Sequence, residues 1–250
     1  MQLPPPPLPD RDPALFLDFD GTLVAIAETP EAIEVAPGLV PLLIELHERL
    51  DGALAIVSGR QIDVLDRFLA PLRLPAAGEH GVQRRDAQGR LQERTPPDLA
   101  VVLEAANALA ARHTGLLVER KHAAIALHYR LAPDLGPLCL DTMAEVIGSD
   151  PHFELLHGKR VVEVKPAGVN KGLAIDAFLE EAPFQGRVPV FAGDDTTDET
   201  GFAIVQSRPG GIGIKVGQGP TQAEHRLAGT TAVHGWLRTL RDHLAAQAVR

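Results

Sequence analysis

A chain of 250 residues with 45% hydrophobic and 23% charged side chains can bury a sizeable core, as one large domain or two smaller ones. Its formal net charge of −9 argues against a nucleic-acid surface, which would need a basic face, but not against an anionic substrate held by a metal and a few placed cations. The single cysteine, Cys139, rules out an intrachain disulfide and a cysteine-built zinc site. No apolar run approaches the roughly 20 residues that span a bilayer.

Residues 1–13, MQLPPPPLPDRDP, lack the basic and apolar regions of a secretory signal, so a cytoplasmic protein is expected. Four consecutive prolines suggest a short, extended, mobile arm. Residues 14–17 read as a buried strand. After a loop through Thr29–Pro30 and Pro37–Gly38, Leu39, Leu42, Leu43, Leu46 and Leu50 fall at helical spacing. An apolar strand (54–57), a helix (61–70), a third strand leading into GEHG (78–81) and a hairpin (84–94) turning at Gln88–Gly89 follow. This alternation implies a parallel sheet with covering helices.

Between residues 99 and 165 the rhythm changes to helix, hairpin, helix, hairpin, an inserted α+β unit. The first hairpin joins near Lys121–His122 and the second turns at Gly158–Lys159. The first rhythm then resumes with a helix (171–179), the strand VPVFAG, a short helix (199–205), the strand GGIGIKVG and a closing helix (234–246). Gly211 and Gly213 lack the third glycine and the helix of a dinucleotide fingerprint, and read as strand glycines. The expected organisation is a Rossmann-like core of residues 1–98 and 166–250, with an α+β cap of residues 99–165.

The strand ends carry the chemistry. Asp18 and Asp20 follow the first strand, Ser58 the second, and Asp194, Asp195 and Asp198 the strand VPVFAG. In an open parallel sheet the ligand crevice lies outside the carboxyl ends of the strands. Singly, each residue suits a turn or a helix cap; together they converge on one sheet edge. Clustered carboxylates call for a cation, and an all-oxygen set suits Mg²⁺, which binds through a few carboxylates plus substrate phosphate. One carboxylate can then attack phosphorus while a second, two residues on, moves protons. Ser58, the Gly59 amide and Lys171 are the candidates for the phosphoryl charge.

DFDGT (18–22), SGR (58–60), Lys171 and GDDTTD (193–198) resemble, in order, the four motifs of the haloacid-dehalogenase-like phosphatases. The resemblance implies Asp18 as nucleophile, Asp20 as acid/base, and Mg²⁺ held by Asp18, the Asp20 carbonyl and Asp194. It further implies phosphoryl binding by Ser58 and Lys171, with Asp195 and Asp198 orienting metal waters and the lysine. GEHG (78–81), ERKHAAIALHYR (119–130), VEVKPAGVNKG (162–172) and GDDTTDETGF (193–202) resemble the trehalose-6-phosphate phosphatases in particular. That likeness implies a sugar phosphate substrate and sugar binding by Glu119, Lys121, Arg130 and Glu163 of the cap, with Glu79 and His80 from the core loop nearby; Gly59 and Arg60 complete the expected substrate-binding set. The matching segments also include His128, which suits a structural hydrogen bond as well as a binding role. Capped phosphatases of sucrose phosphate or mannosyl phosphoglycerate, and a phosphosugar mutase, remain the alternatives. With no glycosyltransferase segment in the sequence, a stand-alone enzyme is expected.

Overall fold

The computed structural model describes residues 3–9, 12–27, 29, 31–95 and 97–247. Met1, Gln2, Asp10 and Arg11 of the proline-rich arm, and Pro30 of the loop expected after the first strand, lie outside them. The chain divides into two compact units, Met1–Gln92 with Asn170–Arg250, and Glu93–Val169.

The first unit is built on an eight-stranded sheet. Its strands are β1 (Pro13–Leu17), β2 (Leu54–Val57), β3 (Ala76–Gly78), β4 (Gln83–Arg85), β5 (Leu91–Glu93), β10 (Val188–Gly193), β11 (Ile212–Val216) and β12 (His225–Leu227); β6 to β9 belong to the second unit. The order is β12-β11-β10-β1-β2-β3-β4-β5, parallel from β12 through β3, with β4 antiparallel to β3. β1, β2 and β11 are buried along their whole length, which is why β1 and β2 read as unbroken apolar runs and β11 as one interrupted only by Lys215.

Helices α1 (Leu39–Arg49), α2 (Ile62–Leu69), α5 (Lys171–Leu179), α6 (Glu199–Gln206) and α7 (Thr230–Gln247) belong to this unit, while α3 and α4 belong to the other. Leu39, Leu42, Leu43 and Leu46 of α1 and Val233, Leu237 and Leu240 of α7 enter the same core as Phe16 and Phe191 of the central strands. β12 has no apolar alternation to announce it; pairing of Ile214, Lys215 and Val216 with His225, Arg226 and Leu227 makes it a strand. The described arm residues 3–9 lie against this unit, where the sequence suggested a mobile segment. Pro6 and Pro9 are buried, Leu8 packs on the core, and the Pro4 carbonyl accepts the Arg226 amide at 3.0 Å. A proline offers an edge strand an acceptor without extending the ladder.

The second unit is an antiparallel sheet, β6 (Leu117–Arg120), β7 (Ile125–His128), β8 (Phe153–Gly158) and β9 (Val161–Pro166), in the order β6-β7-β9-β8. Helices α3 (Ala100–Arg112) and α4 (Gly136–Ile147) cover one face. Val102, Ala106, Leu109, Cys139 and Met143 pack there on Ile125, Leu127, Val162 and Val164. The β8–β9 turn falls on Lys159–Arg160, one residue later than expected, with Arg160 in the left-handed region at φ +66°. Among the described residues no helix is long and apolar enough to cross a membrane.

Candidate active site

Register brings the chemistry together. Leu17, the last residue of β1, pairs with Ala192 of β10 on one side and Ile56 of β2 on the other. Asp18, Ser58 and Asp194 therefore leave the sheet at the same edge. The Asp18 amide donates to the Ala192 carbonyl and the Ser58 amide to the Ala77 carbonyl, both at 2.9 Å, which fixes where each chain departs.

Lys171 reaches this edge from the first turn of α5, whose start is set by Asn170 accepting the Leu173 amide at 2.9 Å. The Lys171 ammonium donates to Asp18 Oδ1 at 2.6 Å and to Asp198 Oδ1 at 2.7 Å, and all three groups are buried. Burial works against the ammonium, but Asp18 and Asp198 outweigh it and hold its pKa above the ordinary lysine value. Burial also pushes the Asp18 carboxyl well above the usual carboxylate range; Lys171 opposes this, and the charges of Asp198 and Asp194 add to it. The site carries more carboxylate than one ammonium compensates.

Asp18, Asp194 and Asp198 each offer an oxygen, all within 4.8 Å of one another. Asp198 is committed elsewhere: Oδ1 accepts from Lys171, and Oδ2 accepts the Asp195 amide at 2.8 Å in a reciprocal cap of the turn Thr196–Asp198. It holds the lysine. Asp18 and Asp194 are then the carboxylates suited to a cation, with Gly21 beside them at φ +74°, where any Cβ would overlap the Asp194 carboxylate. A buried, all-oxygen, excess-negative donor set fits a hard divalent cation and not a soft one.

Asp20 makes a different contact. Its carboxylate accepts Arg60 Nε and Nη2, both at 2.7 Å. The Arg60 amide donates to Ser58 Oγ at 3.1 Å. Glu79 and His80 follow β3 in consecutive left-handed conformations, φ +46° and +58°, a strained arrangement for two non-glycine residues. Their amides are tied to the Arg60 and Ser58 carbonyls at 2.9 Å. The His80 ring lies so close to Gly59 that a Cβ there would stand 2.8 Å from its Cε1 and Nε2. The expected core residues thus fall into two groups, Asp18, Lys171, Asp194, Asp195 and Asp198 in one and Asp20, Ser58, Gly59, Arg60, Glu79 and His80 in the other, joined through the chain at Asp18–Asp20.

The remaining expected residues are in the second unit. Glu119 of β6 pairs with Ala126 of β7, which pairs with Glu163 of β9, so one cross-strand row carries both glutamates. Strand alternation directs this row away from Ile125, Leu127, Val162 and Val164, which pack on the helices. Lys121 Nζ donates to Glu163 Oε2 at 2.5 Å, and His128 Nε2 meets Glu119 Oε2 at 2.8 Å. Burial resists the Glu119 charge, but the His128 hydrogen bond and Lys121 together hold its pKa below the ordinary value. Arg130 stands half-buried two residues beyond β7.

Residues 16–232 match the family model for trehalose-phosphatase. The chain belongs to the trehalose-phosphatase family. It is 43% identical to trehalose-6-phosphate phosphatase of Escherichia coli K12, covering 91% of this chain and 86% of that protein. It is 44% identical to a probable trehalose-phosphate phosphatase of Sinorhizobium fredii, covering 86% and 81%. Among solved structures, the C-terminal domain of Candida albicans trehalose-6-phosphate phosphatase aligns over 93% of each chain, with a TM-score of 0.83 at 25% identity. A trehalose-6-phosphate phosphatase related protein aligns with a TM-score of 0.76 at 31% identity, covering 94% of this chain and 99% of that one. The chain is a phosphoric monoester hydrolase with the fold of trehalose phosphatases.

Sequence reasoning missed a buried lysine beside these carboxylates. Lys215, in β11, is 3% exposed and donates to the Asp194 carbonyl at 2.8 Å, with Glu199 Oε1 at 3.9 Å. The signal was there, since a single lysine inside the apolar run GIGIKVG needs a buried partner. Thr22 also contributes, its hydroxyl 3.4 Å from Asp18 Oδ2.

Proposed function

We propose that the protein is a Mg²⁺-dependent, cytoplasmic phosphatase that hydrolyses trehalose 6-phosphate to trehalose and inorganic phosphate through an aspartyl phosphate. The observation that carries this reading is the Lys171 bridge between Asp18 and Asp198, with Asp194 gathered beside them. An ammonium at 2.6 Å holds Asp18 in one orientation, and a carboxylate so held is a nucleophile aimed at an incoming phosphorus.

In this reading Asp18 attacks phosphorus, and the electron pair of the breaking bond leaves on the sugar oxygen. The Asp20 carboxyl gives that oxygen its proton, then takes one from the water that opens the aspartyl phosphate. Ser58, the Gly59 amide and Lys171 meet the phosphoryl oxygens. Asp18, the Asp20 carbonyl and Asp194 would hold Mg²⁺, with Asp195 and Asp198 orienting its waters and the lysine. Bound there, the ion would neutralise charge building on the phosphoryl group. Glu119, Lys121, Arg130 and Glu163, with Glu79 and His80, are assigned the sugar hydroxyls, which need donors and acceptors side by side.

The test is phosphate release from a panel containing trehalose 6-phosphate, sucrose phosphate, mannosyl phosphoglycerate and hexose phosphates, with Mg²⁺ or with chelator. The expected result is release from trehalose 6-phosphate that disappears on chelation. Preference for another sugar phosphate would reassign the substrate. Undiminished release in chelator would remove the metal.

A further inference from the structure

We propose that Arg60 is the positioning residue for Asp20: its guanidinium fork sets the carboxylate that moves protons in both halves of the reaction. This rests on the reading of Asp20 as acid/base. Both oxygens of Asp20 are taken by one guanidinium at 2.7 Å, a two-point contact that fixes direction as well as distance. A single point charge would leave the carboxylate able to turn.

The guanidinium is itself held. It lies 5.8 Å from the ring centroid of Phe19 and 5.4 Å from that of Phe68, and those two rings are 6.1 Å apart. Phe19 stands between Asp18 and Asp20 in the chain and is fully buried, so the nucleophile's own loop supplies one wall of the clamp. The backbone of the same residue reaches the phosphoryl-binding hydroxyl and the loop behind it. The Arg60 amide donates to Ser58 Oγ at 3.1 Å, and its carbonyl accepts the Glu79 amide at 2.9 Å. One residue thereby keeps Asp20, Ser58 and the strained 79–80 turn in register. The side chain of Arg60 is 13% exposed and that of Asp20 36%, so the arginine is the buried anchor and the carboxylate faces solvent and substrate.

The two chemical steps make separate demands on Asp20. In the first, the Asp18 oxygen bonds to phosphorus, the phosphorus–oxygen bond to the leaving group breaks, and Asp20 gives its proton to an alkoxide. In the second, the water oxygen bonds to phosphorus, its proton passes to Asp20, and the Asp18 carboxylate is released with inorganic phosphate. A nitrophenolate leaves without a proton. With p-nitrophenyl phosphate, therefore, only the second step depends on Asp20.

Rapid mixing of the Mg²⁺-loaded enzyme with p-nitrophenyl phosphate separates these steps. Arg60→Gln is expected to give a burst of nitrophenolate near one equivalent, then a steady state slowed by about 10²-fold, the usual cost of misplacing a catalytic group. Because the slow step follows the burst, kcat falls while kcat/KM is kept within a few-fold. Arg60→Lys, which keeps a cation beside the two rings but loses the fork, is expected to show the same burst with a milder slowing. Asp20→Asn should reproduce the pattern, and adding Arg60→Gln to it should change little. If Arg60→Gln slows the burst itself and raises KM, or if its effect persists in full on the Asp20→Asn background, Arg60 serves the phosphoryl group or the fold and the proposal is wrong. If Asp20→Asn turns over like wild type, the acid/base reading of Asp20 fails instead.

Discussion

Asp18, Asp20 and Asp194 are all carboxylates at strand ends, yet their surroundings give them different work. Asp18 is held by an ammonium, Asp20 by a guanidinium, and Asp194 sits against Gly21 with its own carbonyl on Lys215. Asp18→Asn should abolish turnover with the fold intact, and acid-quenched wild type should carry phosphate on Asp18 and no other residue. Asp20→Asn should retain Mg²⁺ binding in calorimetry while losing about 10²–10⁴-fold in rate. Asp194→Ala should weaken Mg²⁺ binding directly; equal loss of Mg²⁺ in the two variants would overturn this division. Lys215→Met leaves the Asp194 carbonyl without its donor in a buried place. A loss of about 1–3 kcal/mol in urea unfolding is expected, measured without metal. No loss would mean that the Asp194 carbonyl finds another donor when the lysine is removed.

At the scale of the element, what places these residues is how strands and turns end. The β4–β5 hairpin shows it outside the site. Asp86 accepts the amides of Gln88 and Arg90 at 2.9 Å and Arg90 Nε at 2.7 Å, while Gly89 turns the chain at φ +79°. Burial opposes the charge of Asp86, but the Arg90 and Gln88 contacts win and lower its pKa from the ordinary 3.8. A depressed carboxyl stabilises the fold fully above its unfolded pKa, and that contribution is lost as pH falls through the folded value. Asp86→Ala should therefore cost about 1.5–3 kcal/mol at neutral pH, and the gap from wild type should close only below about pH 3.8. A gap that stayed constant to lower pH would put the effect in the turn's shape and not in its charge. The acidic turn after β10 follows the same logic, with Asp195 and Asp198 capping each other, so that the residue holding Lys171 also closes its own loop.

On the scale of the whole molecule, the two units have separate apolar cores, so a change in the second need not disturb chemistry in the first. Lys121 and Glu163 form a pair with side chains only 10% and 4% exposed. Removing one partner leaves the other charged and buried, which costs more than the pair itself contributes. The informative variant is therefore Lys121→Met with Glu163→Gln together. It should lose at least one to two decades in kcat/KM on trehalose 6-phosphate, from about 1.5–3 kcal/mol for each hydrogen bond to a charged group. On p-nitrophenyl phosphate it should stay close to wild type, and equal losses on both substrates would mean that the pair supports structure and reads no sugar. The α/β class and the inserted α+β unit were legible along the chain. The strand-end positions of Asp18, Ser58 and Asp194 were legible as well, because burial on both faces writes a strand as an apolar run and its end as the first polar residue; Lys171, in the first turn of a helix, stood out only as part of a motif. Short-range chemistry of this kind is local, and a local pattern can be read. Folding alone makes β12 a strand and brings Arg60 to Asp20, Lys121 to Glu163 and Lys215 to Asp194. Each of these is a contact between residues 21 to 42 positions apart, or a three-residue segment with no pattern of its own. Nothing along the chain selects one partner among many of the right charge until strand register brings that partner within reach.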